Sequence, residues 1–161
     1  MVAGSDRLLS VRVTDRYENV VSGETIRFII RSGGGSIGVS TDSVDVTSDA
    51  NGIADTTLTT GSTVGLNEVT ALIVSSRVDS VNFTVNTTPG LISYFGVVPT
   101  TFNTTVGTDV TVNVTAYDAN NNIVSSDNST QVNFSSNGTG VTITPANAIL
   151  AAGLTSFTFS D

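Results

Sequence analysis

The chain contains no cysteine, histidine or lysine, and each absence removes a class of function. Without cysteine there is no disulfide framework and no thiol chemistry. Without histidine the commonest general base and zinc ligand is missing, and a serine nucleophile would have neither lysine nor histidine to activate it. Paired carboxylates, as in glycosidases, remain an alternative. Most of the acidic residues stand in polar stretches typical of turns, however, so we expect a protein that is not an enzyme and holds no cofactor.

Positive charge is also scarce. Six basic residues, all arginines that precede Pro89, stand against 14 acidic ones, for a net charge of −8. Such a surface repels phosphate, so nucleic acid and anionic lipid are poor partners. No apolar run reaches 18 residues, which argues against insertion in a membrane. Met1–Gly4 lacks the apolar stretch of a secretory signal, so we expect that, if the parent protein is exported, this chain is an internal fragment of it.

One stretch of the chain occurs twice in similar form. Leu9–Val21 reads LSVRVTDRYENVV, and Val110–Val124 reads VTVNVTAYDANNNIV. In each copy apolar and polar residues alternate up to an aspartate, Asp15 or Asp118, and an asparagine follows four residues later. Period-two alternation places one face of a strand in a core, and Asp and Asn stabilise turns by bonding their own backbone. Each copy therefore predicts a strand, a polar turn and the start of another strand.

The remaining pattern is that of an all-β protein, rich in Val, Ile, Thr, Phe and Ser. Asp49–Gly52 predicts a hairpin turn between the strands on either side of it, and Ser32–Ser36, with three glycines, predicts a flexible loop. The further predicted strands are Glu24–Arg31, a short one at Val44–Val46, Ile53–Thr59, Glu68–Val74, Arg77–Val85, Leu91–Val98, Gln131–Ser135, Val141–Thr144 and Leu154–Ser160.

The spacing of the two copies predicts two antiparallel sandwiches in tandem. The repeat step is 103 residues between the aspartates, and a polar linker at 86–90 contains Pro89. We expect domains at 1–87 and 88–161. The first would lack a counterpart of the strand Leu91–Val98, and the second would lack its last two strands. Because incomplete sandwiches expose strand edges, we also expect a strand-exchanged homodimer.

Three motifs resemble a known family, the bacterial immunoglobulin-like domain, group 1, of the invasin and intimin type. That family shows V-x-D-x-x-G-N-P-V-x-G, then T-D-x-x-G-x-A, then T-x-T-L-x-S-G. The positions that match them here are Asp15, Asn19, Val20 and Gly23, then Asp49, Gly52 and Ala54, then Thr57, Leu58 and Gly61. Glu18 stands where the family usually has glycine. The similarity covers Leu9–Val85 well and is looser from Leu91 to Asp161.

The resemblance implies tandem immunoglobulin-like β-sandwiches on the outside of a cell. As in that family, the chain would be a non-catalytic repeat of a cell-surface or S-layer-like protein, a stalk or spacer in cell adhesion that contacts neighbouring repeats of its own chain. The alternative is an adhesin domain that recognises a protein or glycan on another cell, through loops such as Ser32–Gly38 and Gly61–Asn67. The family has no catalytic residues to transfer.

Seven asparagines stand in Asn-X-Ser/Thr sequons, which accept N-linked glycans in cells that glycosylate their envelope. A sequence rich in Asn, Ser and Thr also makes such triplets by chance. The seven candidate glycosylation positions are Asn82, Asn86, Asn103, Asn113, Asn128, Asn133 and Asn137.

Two further features have a functional and an ordinary interpretation. Asp42, Asp45, Asp49 and Asp55 cluster in the sequence, but calcium needs several oxygen ligands at one point and the EF-hand spacing is absent, so we expect turns rather than a metal site. The side chains of Arg27, Ile29 and Arg31 could form a small amphipathic contact patch beside Leu72 or Val74, or an ordinary outer sheet face. We favour the outer face.

Overall fold

The computed structural model of the protein describes residues 1–76, 79–101, 105, 107–137 and 139–160. These residues form thirteen β-strands and no helix, so the described part of the chain contains no helix that could cross a membrane. The chain divides into two compact units, Met1–Thr88 (unit 1) and Pro89–Asp161 (unit 2). Each unit has two antiparallel sheets.

Unit 1 contains the first seven strands. One sheet has the order β1-β5-β3 and the other the order β4-β2-β6-β7. The strands are β1 (Asp6–Arg12), β2 (Thr25–Ser32), β3 (Ser36–Ile37), β4 (Ser43–Thr47), β5 (Ile53–Thr59), β6 (Gly65–Ile73) and β7 (Ser80–Thr87). The predicted start of the last strand at Arg77 lies outside the described residues.

The core of unit 1 lies between its two sheets. Leu9 and Leu58 come from the first sheet and Phe28 and Val69 from the second, and all four side chains are buried in one apolar cluster. The alternation in the sequence correctly predicted the inward faces of β1 and β2. It left the inward face of β6 open, and the structure assigns it to Asn67, Val69 and Ala71.

Two local predictions in unit 1 are wrong. The turn Asp49–Gly52 does not join a hairpin, because β4 pairs with β2 while β5 pairs with β1, in the opposite sheet. The apolar pair after the first aspartate turn does not start a strand either. Val20 makes a single bridge to Thr14, and β2 begins only at Thr25. Period-two patterns identify strands but do not say which strand becomes the neighbour.

The glycine loop after β2 is more ordered than the sequence predicted. Ser36 and Ile37 form β3, which pairs with Thr59 and Leu58, and Ile37 is fully buried. Two residues are too few to give a periodic signal, and the glycines on either side are typical of a loop. This strand was therefore not predicted from the sequence. The prediction of a flexible loop through Ser36 is therefore wrong at its end.

Unit 2 contains the other six strands. One sheet has the order β11-β13-β9-β8, and the other consists of β10 and β12. The strands are β8 (Tyr94–Pro99), β9 (Val110–Tyr117), β10 (Gln131–Asn133), β11 (Thr142–Thr144), β12 (Asn147–Ile149) and β13 (Leu154–Ser160). The short strand β12 was not predicted from the sequence.

The core of unit 2 consists of two smaller apolar clusters. Val112, Val114 and Phe157 form one, in which the rings of Phe134 and Phe157 stack with centroids 3.9 Å apart. Ala116, Val124 and Leu150 form the other. Aromatic side chains therefore supply much of the contact between the sheets of unit 2.

The two units repeat one pairing scheme. Strands β1 to β5 of unit 1 correspond in order to β9 to β13 of unit 2, because each pair of corresponding strands has corresponding neighbours. Among the described residues, however, β6 and β7 have no counterpart in unit 2, and β8 has none in unit 1. Each unit therefore has a strand position that is filled only in the other.

Candidate functional site

The repeated aspartate turn is the most conspicuous polar feature of both units. In unit 1, Oδ1 of Asp15 accepts hydrogen bonds from the backbone N–H groups of Tyr17 (2.8 Å) and Asn19 (2.9 Å), and its Oδ2 accepts one from Asn19 Nδ2 (3.0 Å). The backbone N–H of Asp15 donates to the carbonyl of Asn19. One carboxylate therefore closes the five-residue turn that follows β1.

Unit 2 repeats this turn with the same atoms. Oδ1 of Asp118 accepts from the backbone N–H groups of Asn120 and Asn122, both at 2.8 Å, and Oδ2 accepts from Asn122 Nδ2 at 3.0 Å. A further donor is the backbone N–H of Gly90, 2.9 Å from Oδ2. Asp118 thus also fixes the segment by which the chain enters unit 2.

The two aspartates differ in their environment. Asp15 is exposed, whereas only 1% of Asp118 is accessible to solvent. Burial opposes ionisation of Asp118, but hydrogen bonds from the Asn122 side chain and from three backbone N–H groups outweigh it and lower the pKa from 3.8 to about 2. For Asp15, hydrogen bonds from Asn19 and Tyr17 also lower the pKa. Both groups are structural anions rather than proton donors at neutral pH.

In each unit, a glycine accepts a backbone hydrogen bond from the residue two positions before the aspartate of the turn. The N–H of Val13 donates to the carbonyl of Gly52 in unit 1, and the N–H of Ala116 donates to that of Gly153 in unit 2, both at 2.8 Å. Both glycines have positive φ, and a Cβ atom on either would lie within 2.7 Å of a backbone oxygen, that of Val13 or of Val124. Gly52 was predicted from the sequence as a turn residue, whereas Gly153 was not, because its neighbours Ala152 and Leu154 share little with those of Gly52.

Two loops proposed for ligand binding meet at the same end of unit 1. Asn67, whose side chain is 1% exposed, holds them together: its Oδ1 accepts from the N–H of Gly61 (3.2 Å), and its Nδ2 lies 3.4 Å from the carbonyl of Gly65. Gly33 packs directly on the Asn67 side chain. Val64 and Leu66 are exposed beside it. The burial of Asn67 was not predicted, because nothing in the sequence distinguishes it from a surface asparagine.

Six of the seven candidate glycosylation positions lie on the surface. These are Asn82, Asn86, Asn113, Asn128, Asn133 and Asn137, whereas Asn103 lies outside the described residues. Two have side-chain partners, since Asn82 accepts from Thr70 Oγ1 at 2.9 Å and Asn128 accepts from the N–H of Ala152 at 2.8 Å. Exposure permits modification of these six asparagines, and glycosylation stays a prediction.

The aspartates in the acidic stretch of unit 1 make separate local contacts. Asp45 forms a bidentate ion pair with Arg27 across β2 and β4, with both distances 2.6 Å. Asp49 caps its own turn by accepting from the N–H groups of Asn51 and Ile53, both at 2.8 Å. Among the described residues, no group of three or more carboxylates, histidines or cysteines is close enough to hold a metal ion.

The face of β2 that carries Arg27 and Arg31 is an ordinary outer sheet face. Arg31 Nε donates to Thr70 Oγ1 on β6 at 3.2 Å, and Arg27 is engaged with Asp45. The two guanidinium groups are thus occupied by neighbours in their own sheet. This polar sheet surface agrees with the outer face favoured from the sequence.

No protein-family model matches the sequence, and no curated protein matches it. Solved structures of other proteins, however, do match it. The Yersinia pseudotuberculosis adhesin InvE aligns with 99% of this chain and 47% of its own, at 18% identity and a TM-score of 0.51. FdeC, described as a novel broadly conserved Escherichia coli adhesin eliciting protection against urinary tract infections, aligns with 99% of this chain and 51% of its own, at 20% identity and a TM-score of 0.60. Domains 5–6 of the S-layer protein SbsC align at 15% identity and a TM-score of 0.40, over 99% of this chain and 77% of that one.

The likeness to the two adhesins is one of fold. The chain spans about half the length of the two adhesin chains that it matches. Together with the sheet orders and the absence of helix in the described residues, the alignments define an all-β protein of antiparallel, immunoglobulin-like sandwiches.

Proposed function

We propose that this chain is a non-catalytic stretch of immunoglobulin-like repeats from a cell-surface or S-layer-like protein, and that it serves as a stalk or spacer in cell adhesion. The observation that carries the proposal is the repetition of one pairing scheme and one aspartate turn in two successive units, in a fold similar to that of two bacterial adhesins. Repetition of a unit adds length, which is what a spacer requires.

The chemistry of the side chains supports a structural role rather than a catalytic one. The sequence has no histidine, cysteine or lysine, and three aspartates with lowered pKa values, Asp15, Asp49 and Asp118, hold turns closed. We place the chain outside the cell, as part of a larger exported protein, with neighbouring repeats as its first partners. The seven sequons are compatible with that location, and the acidic surface with the absence of nucleic-acid partners.

We interpret the two units as two successive domains, 1–87 and 88–161, the second of which has fewer strands. A rigid spacer needs domains that resist extension, and antiparallel ladders such as β1 with β5 and β9 with β13 supply cross-strand hydrogen bonds for this purpose. Gly90, the last residue of the predicted linker, donates its N–H to Asp118 and so attaches the end of the linker to unit 2.

A surface-display experiment tests the spacer role. The chain is inserted between a membrane anchor and an amino-terminal epitope on a bacterium with a thick surface layer, and antibody binding to the epitope is measured. We expect more accessible epitope than with a glycine-serine linker of equal length. Accessibility equal to that of the flexible linker contradicts a spacer function.

The alternative function is ligand binding by the loops that meet at Asn67. It is favoured by one observation, the exposure of Val64 and Leu66 beside that junction. In the same display strain a binding domain would make the cells adhere to target cells, whereas a spacer would not. Val64→Asp with Leu66→Asp should abolish such adhesion, and Val98→Asp, on an exposed strand of unit 2, is the matched control.

A further inference from the structure

Tyr94 and Tyr117 form a stacked pair on the outer face of unit 2. They lie directly opposite each other in the ladder between β8 and β9. Ala116, the neighbour of Tyr117, is fully buried, so the Tyr117 side chain points away from the core, because successive side chains of a strand point to opposite faces. The two ring centroids are 5.2 Å apart and the ring planes are inclined by 16°. This is the separation of two aromatic rings in direct contact.

Two local contacts hold the rings in this position. The Tyr94 hydroxyl donates to Oδ1 of Asn121 at 2.8 Å. The Tyr117 ring lies across Gly96, because a Cβ atom at that position would come within 2.8 Å of the ring carbon Cε2. The absence of a side chain at Gly96 therefore leaves room on β8 for the Tyr117 ring.

The pair is accessible from solvent. Tyr94 is 43% exposed, and Tyr117 is half-buried. Further strands add to the edges of a sheet and not to its outer face, so this exposure does not depend on how many strands the sandwich has. A diffusible reagent can therefore reach both phenols.

The composition of unit 2 directs oxidation to these two rings. Residues 89–161 contain no cysteine, methionine, histidine or tryptophan, the other side chains that are readily oxidised, and Tyr94 and Tyr117 are their two tyrosines. The third tyrosine of the chain, Tyr17, is 68% exposed in unit 1 and lies beside Arg16, whose guanidinium carbon is 4.5 Å from the ring centroid. An oxidant that acts on unit 2 therefore attacks the stacked phenols.

We propose that Tyr94 and Tyr117 are the site of an oxidative cross-link, a dityrosine bond that joins β8 to β9. The oxidant is hydrogen peroxide acting through a haem peroxidase. It takes one electron and one proton from each phenol and is reduced to two molecules of water. The two phenoxyl radicals then join through the ring carbons ortho to their oxygens. Each of these carbons loses its proton to solvent while each oxygen regains one, so the product has two phenols and two hydrogen atoms fewer.

The geometry favours coupling within one chain. Each radical has the other ring beside it, which is equivalent to a far higher concentration of partner than a dilute protein solution provides. The χ2 torsion of tyrosine is broad, so rotation of the rings can bring the ortho carbons together. Tyr17 is the one tyrosine of unit 1, so it has no such partner within its own unit.

The bond would act on unit 2 as a disulfide does, in a chain that has no cysteine. It joins residues 23 positions apart and so constrains the unfolded chain. Because β8 is the first strand of unit 2, the cross-link also keeps this strand on β9 when the linker is pulled. The coupling itself does not depend on the proposed spacer function.

Peroxidase treatment of the purified chain tests the proposal. The chain is incubated at low concentration with hydrogen peroxide and a haem peroxidase, and the monomeric fraction is analysed by dityrosine fluorescence and mass spectrometry. We expect a fluorescent monomer that is lighter by two hydrogen atoms. Cleavage before Asp109 separates Tyr94 from Tyr117, so the cross-link should appear as two peptides that stay joined. The thermal midpoint of unit 2 should rise by about 5 °C or more.

Three variants and a denaturant control test the pairing. Tyr94→Phe and Tyr117→Phe should each abolish dityrosine in the monomer, whereas the matched control Tyr17→Phe should retain it. In urea that unfolds the chain while the peroxidase stays active, the wild-type yield should fall severalfold, because the phenols remain but the stack is lost. A Tyr17→Phe monomer without dityrosine, an equal yield in urea, or a monomeric product joined through Tyr17 would each overturn the proposal.

Discussion

Asp15 and Asp118 accept the same hydrogen bonds from their own turns, but only Asp118 is buried and only Asp118 binds a fourth N–H, that of Gly90. The same local sequence thus forms one turn in two environments. The turn itself is a product of local chemistry, because Asp and Asn bond backbone groups within five residues. The additional bond to Gly90 is a product of the tertiary fold.

Asp118→Ala should therefore destabilise unit 2 far more than Asp15→Ala destabilises unit 1. Removal of the Asp118 carboxylate leaves several N–H groups without an acceptor in a buried site, which costs about 2–3 kcal/mol. In the exposed turn of Asp15, water replaces the lost acceptor. Urea unfolding followed through the stacked rings of Tyr94 and Tyr117, 5.2 Å apart, reports on unit 2. Equal losses in the two variants would contradict this difference in burial.

The stability of unit 2 should depend on pH through Asp118. Its pKa is about 2 in the folded chain and 3.8 in the unfolded reference, so the unfolded state binds the proton more readily. The resulting stabilisation, about 2 kcal/mol, is complete above pH 3.8 and is lost as the pH falls toward 2.

A carboxyl titration by NMR should give a pKa near 2 for Asp118. Asp118→Asn is the control for stability, since it should lack this part of the acid dependence while retaining that of Asp127, whose pKa is lowered by hydrogen bonds from Thr130. An Asp118 that titrates at its ordinary value would refute the assignment.

Gly52→Ala and Gly153→Ala should each destabilise their unit by about 2–3 kcal/mol, because the new methyl group combines a strained positive φ with a clash against a backbone carbonyl. Gly23→Ala separates the two effects. Gly23 has φ of +80°, but nothing lies within 4 Å of an added Cβ, so only the backbone strain of about 1 kcal/mol remains. Thermal unfolding of the three variants measures the difference, and an equal cost in all three would exclude the clash.

The sequence predicted most strands because their alternation is a local property. Leu9, Val13 and Phe28 are buried as their parity required. Pairing was less predictable, since β4 and β5 flank a good turn yet belong to opposite sheets. The missed strands β3 and β12 have only two and three residues, too few for a periodic signal.

Functional positions were harder to predict than strands. The aspartate turns were visible twice in the sequence, but the hydrogen bond from Gly90 to Asp118 joins residues 28 positions apart, which no local pattern predicts. The exposure of Val81 was not predictable either, because alternation correctly placed Val81 on the inward face of its strand and could not say that the opposite sheet leaves it uncovered.

Asn67 provides the last prediction, because it links the two loops proposed for binding. Asn67→Ala removes the acceptor for the Gly61 N–H and opens a cavity beneath Gly33, and the loss of a buried hydrogen bond costs about 1–3 kcal/mol. Amide exchange at Gly61 should accelerate. Asn86→Ala, an exposed asparagine on β7 of the same unit, is the control and should leave exchange unchanged.

The same variant distinguishes the two functions. Asn67 is buried, so no ligand can contact it directly, yet its loss should disturb both loops. If the chain binds a target cell through these loops, Asn67→Ala will weaken adhesion in the display strain without changing an exposed side chain. If the chain is a spacer, epitope accessibility will stay the same at temperatures below unfolding. Slow exchange at Gly61 in the variant would show instead that the loops are held by their glycine packing, since Gly33 and Gly61 also contact each other directly.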